Sequence, residues 1–139
     1  MFKKILVPVD GSENSFKAVK TAASIVEKYN CSITLMHVIE LPAINARPEF
    51  NEVLKQLKDE IEIEGQKIID IAKSYIHSSN VNSIIVFGQP ASKIITELNN
   101  NYDLIVLGSR GFGEFKGIML GSVSDKVSHH SKSTVMIVH

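Results

Sequence analysis

The chemistry in this sequence is concentrated in one segment. Gly108-Ser-Arg-Gly-Phe-Gly-Glu-Phe-Lys-Gly-Ile-Met-Leu-Gly-Ser-Val-Ser124 carries five of the chain's eight glycines. Glycine lets a backbone turn sharply and approach a ligand closely. At its far end Gly121-Ser122 opens a helical pattern, with Ser122 expected as the N-cap. A helix start offers free N–H groups and the positive end of a dipole, so the combination reads as a cradle for phosphate. A second short segment, Asp10-Gly11-Ser12, follows an apolar run and supplies a carboxylate. Two familiar phosphate loops fail on spacing. A Walker loop needs Gly-Lys-Ser/Thr, and no Gly-Lys pair occurs in the chain. A dinucleotide fingerprint follows the first strand, whereas Gly111, Gly113 and Gly117 lie much later and are one residue too widely spaced.

Other residues with chemical capacity have plainer readings. Asp10 is expected to meet a metal or a ribose, with a cap of the first helix as the alternative. A phosphoacceptor role needs a further aspartate after the third strand, where the chain has Phe87-Gly88. Phe112 and Phe115 are expected to pin the glycine loop to the body, a lid being the alternative. His129 and His130 fall late in the last helix, where imidazolium suits the dipole's negative end. Adjacent helical residues point about 100° apart, so they do not form a metal pair. His37 lies inside a strand with no evident triad partner, and Cys31 reads as a small core residue.

The elements that must position these groups alternate along the chain. Ile5–Val9, Ile33–Ile39, Ser83–Phe87, Leu104–Leu107 and Val135–Val138 are short, Ile- and Val-rich runs of the kind found in buried parallel strands. Between them lie stripes of helical period. One comprises Phe16, Val19, Ala22, Ala23 and Val26. A longer one runs through Phe50, Leu54, Leu57, Ile61, Ile68, Ala72 and Ile76. Ala91, Ile94, Ile95 and Leu98 make a third, and Val123 and Val127 a short fourth. The fold expected is α/β, an open five-stranded parallel sheet with helices on both faces. The long connection from Glu40 to Asn82 predicts strand order 3-2-1-4-5. Leu41–Arg47 reads as a loop, and Gly65 as a bend in the long helix. In such sheets ligands bind beyond the carboxyl ends of the strands at the topological switch. Here that is the space between the Asp10 turn and the glycine loop.

Composition bounds the rest. A length of 139 residues predicts one domain spanning 1–139, with 44% apolar and 22% charged residues in the ordinary globular range. Fifteen basic residues balance fifteen acidic ones, so the long basic field of a nucleic-acid binder is absent and no nucleic-acid partner is expected. The first apolar run is too short for a secretory core, and none approaches a membrane span. One cysteine makes no internal disulfide, which fits a reducing, cytoplasmic setting.

Three stretches together resemble the universal stress protein family: Ile5-Leu-Val-Pro-Val-Asp-Gly-Ser12, His37-Val-Ile39, and the pattern Gly108-x2-Gly111-x9-Gly121-Ser122. The last matches the ATP-binding branch without a gap, and the likeness runs to the ending Ser133–Val138. The resemblance implies an adenine nucleotide alpha-hydrolase-like fold and an ATP site, with Mg2+ or Mn2+ accompanying the triphosphate. Pro8 and Asp10 would line its floor, with Asp10 near the ribose, phosphates or metal. Val38 would meet adenine through its backbone. Leu107, Gly108, Arg110 and Gly111 would wrap the ribose and phosphates. Gly121, Ser122, Val123 and Ser124 would hold the phosphates by amides and hydroxyls. The resemblance also implies a homodimer joined through the last strand, Val135–Val138.

The function this implies is a nucleotide-dependent regulator or sensor in stress response, at most a slow ATPase. Phosphoryl transfer needs a positioned base beside the phosphates, and the sequence identifies none; Glu114 is in the loop, but nothing fixes its direction. The alternatives are an adenylating or pyrophosphate-releasing ATPase on the same fold and a nucleotide-free interaction module. The first normally has a Ser-Gly-Gly-rich loop after strand 1, which Pro8-Val-Asp-Gly-Ser12 is not. The intact loop glycines count against the second.

Overall fold

In a computed structural model, residues 1–41, 47–112 and 119–139 are described. The strands are β1 (Lys4–Pro8), β2 (Ser32–Ile39), β3 (Val81–Phe87), β4 (Leu104–Gly108) and β5 (Thr134–Val138). The helices are α1 (Glu13–Tyr29), α2 (Asn51–Ser74), α3 (Pro90–Leu98) and α4 (Ser122–His130), with a 3-10 turn at Pro48–Phe50 before α2. All pairings are parallel and the sheet order is β3-β2-β1-β4-β5, as the sequence predicts. β1 pairs with β2 from Lys4↔Ser32 to Pro8↔Met36 and with β4 at Ile5↔Leu104 and Leu6↔Ile105. Chain direction along the sheet reverses between β1 and β4.

Strand alternation sorts the apolar residues into two cores, one on each face. Ile5, Val7, Ile33, Leu35, Leu104 and Val106 face α1 and α2, packing with Ala18, Val19, Ala22 and Ile69. Leu6, Met36, Ile105 and Leu107 face the other way, against Ile94 and Leu98 of α3 and Val127 of α4. The central strands are therefore apolar on both sides, while the outer strands β3 and β5 are mostly half-buried. Burial of each such Ile, Leu or Val contributes about 1.5–3 kcal/mol, enough to hold the strand ends in fixed register.

Local chemistry explains the helix starts that matter to the switch point. Ser12 caps α1, its Oγ accepting from Ser15 N–H at 3.2 Å, and Ser15 Oγ donates back to Ser12 O at 2.8 Å. Gln89 caps α3 by accepting from Ser92 N–H at 2.7 Å, and Pro90 fills the first helical position. One expectation along α2 is corrected: Phe50 belongs to the exposed 3-10 turn rather than to the buried stripe. α2 runs through Gly65 as one continuous helix. Its glycine serves close approach: a Cβ there would lie 2.9 Å from His37 Cδ2 on β2. Most of the expected loop at 41–47 lies outside the described residues.

Candidate functional site

The site is built where β1 and β4 end side by side. Past Pro8 the chain turns through Asp10, whose Oδ1 accepts from Ser12 N–H at 2.9 Å. Gly11 adopts φ +87°, a left-handed conformation that glycine tolerates without strain. Asp10 is exposed and Ser12 is the cap of α1, so the alternative reading of Asp10 as that cap is set aside. The second carboxylate oxygen, Oδ2, occupies the space a Cβ at Gly111 would need, 2.6 Å from that position. The turn after β1 and the loop after β4 thus meet at a carboxylate and a glycine.

The β4 side is tied down by a short chain of bonds. Ser109 N–H donates to Val138 O at 2.7 Å, Gly121 N–H to Ser109 O at 2.7 Å, and Asn14 Nδ2 to Ser109 Oγ at 3.2 Å. Gly108 lies flat against the first turn of α1, where a Cβ would fall 2.8–2.9 Å from backbone atoms of Asn14 and Ser15. Gly121 comes close to the same loop, a Cβ there lying 3.2 Å from Arg110 Cα. The segment leaves β4, returns at Gly121 and starts α4 beside its own beginning.

The start of α4 differs from expectation in one respect. Gly121, with φ −63° and ψ 158°, is the N-cap, and Ser122 is the first helical residue. The first helical bond closes at Asp125 N–H to Gly121 O, 2.9 Å. That leaves the amides of Ser122, Val123 and Ser124 without an intrahelical acceptor. A glycine cap brings no side chain to compete for those amides, so the donors stay open to an anion. The Ser124 hydroxyl is buried and donates to Gly108 O at 2.6 Å, so only the Ser124 amide, not its hydroxyl, is available to a phosphate. Val123 is half-buried against the α3–α4 core.

A third component comes from β2. Successive residues of a parallel strand direct their N–H and C=O groups to alternate neighbours. Val9 N–H donates to Met36 O at 2.8 Å, while Gly88 N–H donates to Ile39 O at 2.9 Å. Met36 and Val38 therefore face β1, and His37 and Ile39 face β3. The next rung toward β1 would join Val38 N–H to Val9 O. Instead, Val9 O accepts from His37 Nδ1 at 2.7 Å. A carbonyl only accepts, so Nδ1 carries the proton. The backbone N–H and C=O of Val38 face the gap beyond the end of β1.

The sequence-derived residues Pro8, Asp10, Val38, Leu107, Gly108, Arg110, Gly111, Gly121, Ser122, Val123 and Ser124 thus lie toward one end of the sheet, along and beyond the carboxyl ends of β1, β2 and β4 and at the start of α4. Leu107 is core, and Arg110 is half-buried. Phe112 is 75% exposed, which overturns its expected anchoring role; its ring stays near Gly11, with Cζ 3.7 Å from that residue's Cβ position. Gly113, Glu114, Phe115 and Gly117 lie outside the described residues. Sequence reasoning missed the role of His37, whose only available signal was its place immediately before Val38. An open recess of about 370 Å³ lies one strand over, lined by Glu40, Leu41, Phe87, Gly88 and Gln89 at the ends of β2 and β3.

The residues fit a metal–nucleotide pair of the usual kind. Mg2+ is commonly held by one or two carboxylates together with substrate phosphates, and Asp10, with Oδ2 against Gly111, would supply the one carboxylate. Among the described residues no group of three or more His, Cys, Asp or Glu is placed to hold a metal alone.

Comparison with known proteins extends these observations. A model described as the universal stress protein family matches residues 1–139. The universal stress protein YxiE of Bacillus subtilis is 34% identical over 149 residues, covering 99% of this chain and 99% of the relative. A solved structure of the hypothetical protein MJ0577, reported for the assignment of its biochemical function, superposes with TM-score 0.80 at 32% identity, covering 99% of this chain and 96% of that one. A universal stress protein solved in complex with cAMP superposes with TM-score 0.67 at 25% identity, covering 99% and 97%.

Proposed function

The chain belongs to the universal stress protein family, and from that premise we propose that it is an ATP-binding member acting as a nucleotide-dependent regulator in stress response. The observation that carries this reading is the convergence of three chemically different groups at one end of the sheet. Val38 offers a backbone donor and acceptor, Asp10 a carboxylate, and α4 a set of open amides. These suit, in order, a base edge, a ribose or metal, and phosphates. The relative in complex with cAMP supports an adenine ligand for the fold.

Adenine recognition follows from hydrogen-bond polarity. Adenine presents an acceptor at N1 beside a donor at its amino group, matching the N–H and C=O of Val38. Guanine presents the reverse pair, a donor at N1 beside the O6 acceptor. A mismatched buried pair costs about 1–3 kcal/mol per group, so ATP should bind at least tenfold more tightly than GTP. When bound, Mg2+ or Mn2+ would neutralise phosphate charge, with Asp10 as its protein contact. Pro8, Leu107, Gly108, Arg110 and Gly111 would form the floor and wall, and Gly121 to Ser124 the phosphate end. The role is binding and signalling, with hydrolysis slow at most.

We carry the homodimer into this reading as well, acting in the cytoplasm as one domain. β5 is an outer strand with Val135 and Ile137 directed away from β4, since Val138 O and Thr134 N–H bond toward it. An open strand edge of this kind favours pairing with a second copy. Among the described residues no helix is long and apolar enough to cross a membrane.

The test of function is the nucleotide itself. Protein purified without added ligand is denatured, the released small molecules are identified, and the emptied protein is titrated with Mg-ATP. Release of adenine nucleotide or saturable ATP binding is expected. The absence of both release and binding would overturn the proposal.

A further inference from the structure

We infer that His37 is the positioning residue of the base-recognition edge: its ring takes the rung on Val9 that Val38 would otherwise fill, and so keeps the Val38 backbone pair open for a ligand. The inference rests on the proposed nucleotide site and adds a specificity-determining device to it. Without the ring, the register Pro8↔Met36 leads directly to a Val38 N–H to Val9 O bond, which would extend the β1–β2 ladder by one rung. Val9 N–H is already held by Met36 O at 2.8 Å, so residue Val9 starts out at ladder distance from β2. The bond at 2.7 Å from Nδ1 uses the Val9 carbonyl instead. The Val9 carbonyl belongs to the peptide that joins Asp10, so one side chain sets both the open edge at Val38 and the turn carrying the carboxylate.

The ring has a prepared seat. It is half-buried between β2 and α2, and Gly65 supplies the room. A Cβ at Gly65 would stand 2.9 Å from His37 Cδ2, 3.4 Å from Nε2 and 3.3 Å from Ile39 Cδ1. An imidazole cannot yield there as a flexible chain end would, so a methyl at position 65 should drive the ring away from Val9. α2 is thereby coupled to the base edge through a single contact.

The experiment compares His37→Leu, His37→Asn and Gly65→Ala with the parent chain. The Asn amide nitrogen is nearly isosteric with Nδ1 and restores a donor; Leu does not. Amide hydrogen exchange at Val38, measured without nucleotide, is expected to be fast in the parent and His37→Asn. It should slow at least tenfold in His37→Leu as the vacated rung closes. ATP and adenosine should both bind about tenfold more weakly to His37→Leu and Gly65→Ala, while His37→Asn stays within about threefold of the parent. Inorganic tripolyphosphate, which has no base, should bind all four alike. Unchanged exchange at Val38 in His37→Leu overturns the inference. So does slowed exchange without loss of adenosine affinity. If the parent binds no adenine nucleotide, the proposed function fails by its own test, and the Val38 exchange still decides what His37 does to the ladder.

Discussion

A single methyl group added at Gly108 and the same group added at Gly111 should do opposite things. At Gly108 the new carbon would stand 2.8 Å from Asn14 C and 2.9 Å from Asn14 O and Ser15 N. Ordinary carbon contacts lie near 3.5 Å, so α1 must retreat by about 0.7 Å. All three atoms are backbone in a turn already held by the Ser12 cap and the Asn14–Ser109 bond, and nothing there rotates aside. Overpacking of this sort costs about 1–3 kcal/mol, and for a chain of this size about 3–5 °C of Tm per kcal/mol. At Gly111 the new carbon would meet only Asp10 Oδ2 at 2.6 Å and Cγ at 3.8 Å. That is the end of an exposed side chain, which swings aside at the cost of its Oδ1 bond to Ser12 N–H, about 0.5–1 kcal/mol of stability. The displaced carboxylate no longer faces the phosphates, so Mg-ATP affinity should fall about tenfold or more, as for a lost charged contact. Urea unfolding by circular dichroism gives the first quantity and calorimetric titration the second. If Gly108→Ala unfolds like the parent, or if Gly111→Ala binds Mg-ATP like the parent, the reasoning about this loop is wrong.

Three further outcomes follow from particular bonds. Ser124→Ala should lose about 1 kcal/mol through its bond to Gly108 O, whereas Ser122→Ala should unfold within about 0.5 kcal/mol of the parent because Gly121 is the cap; denaturant midpoints would contradict the cap assignment if the two reversed. Asp103 is held below its ordinary value by hydrogen bonds from the Lys3 and Lys4 amides, at 2.8 and 2.9 Å. Its stabilising contribution is full above the ordinary value of 3.8 and is lost as pH falls through the lower folded-state value, so Asp103→Asn should flatten that part of the acid unfolding curve. Ile137→Pro removes an N–H on the open side of β5 and should give a folded monomer by light scattering and circular dichroism, while Met136→Pro, whose N–H faces β4, should unfold. A folded dimer in Ile137→Pro would move the interface elsewhere.

Much of this arrangement is legible in the residues because apolar runs and long connections leave few topologies. Five Ile- and Val-rich segments, a 43-residue middle connection from Glu40 to Asn82 and right-handed crossovers lead to the observed strand order. β3 is longer than its apolar run, because Val81 and Asn82 pair with β2 although Asn82 and Ser83 are exposed. The placement of the candidate residues is legible as a set, since Asp10, Gly108 and Gly121 lie at or just beyond the ends of elements that the topology must bring together. What each glycine is for is not. Gly65 reads as a bend by composition, while its close approach to His37 is a relation between residues 28 positions apart. Ser122 has the chemistry of a cap, yet the chain enters helical geometry one residue earlier than the serine suggests. The Ser124 hydroxyl looks available until its depth and its bond to Gly108 O are known. Local propensity carries no information about which of two donors reaches a carbonyl first, and so the sequence shows His37 only as a strand residue with no evident triad partner.

The central claim is the location of the ligand, and amide chemical-shift mapping during titration with Mg-ATP tests it most directly. Shifts are expected at Asp10 to Ser12, Val38, Gly108 to Gly111 and Gly121 to Ser124, with little change around Gln89 on the far side of β2. Saturable shifts confined to Glu40, Gly88 and Gln89, the recess at the ends of β2 and β3, would contradict the account.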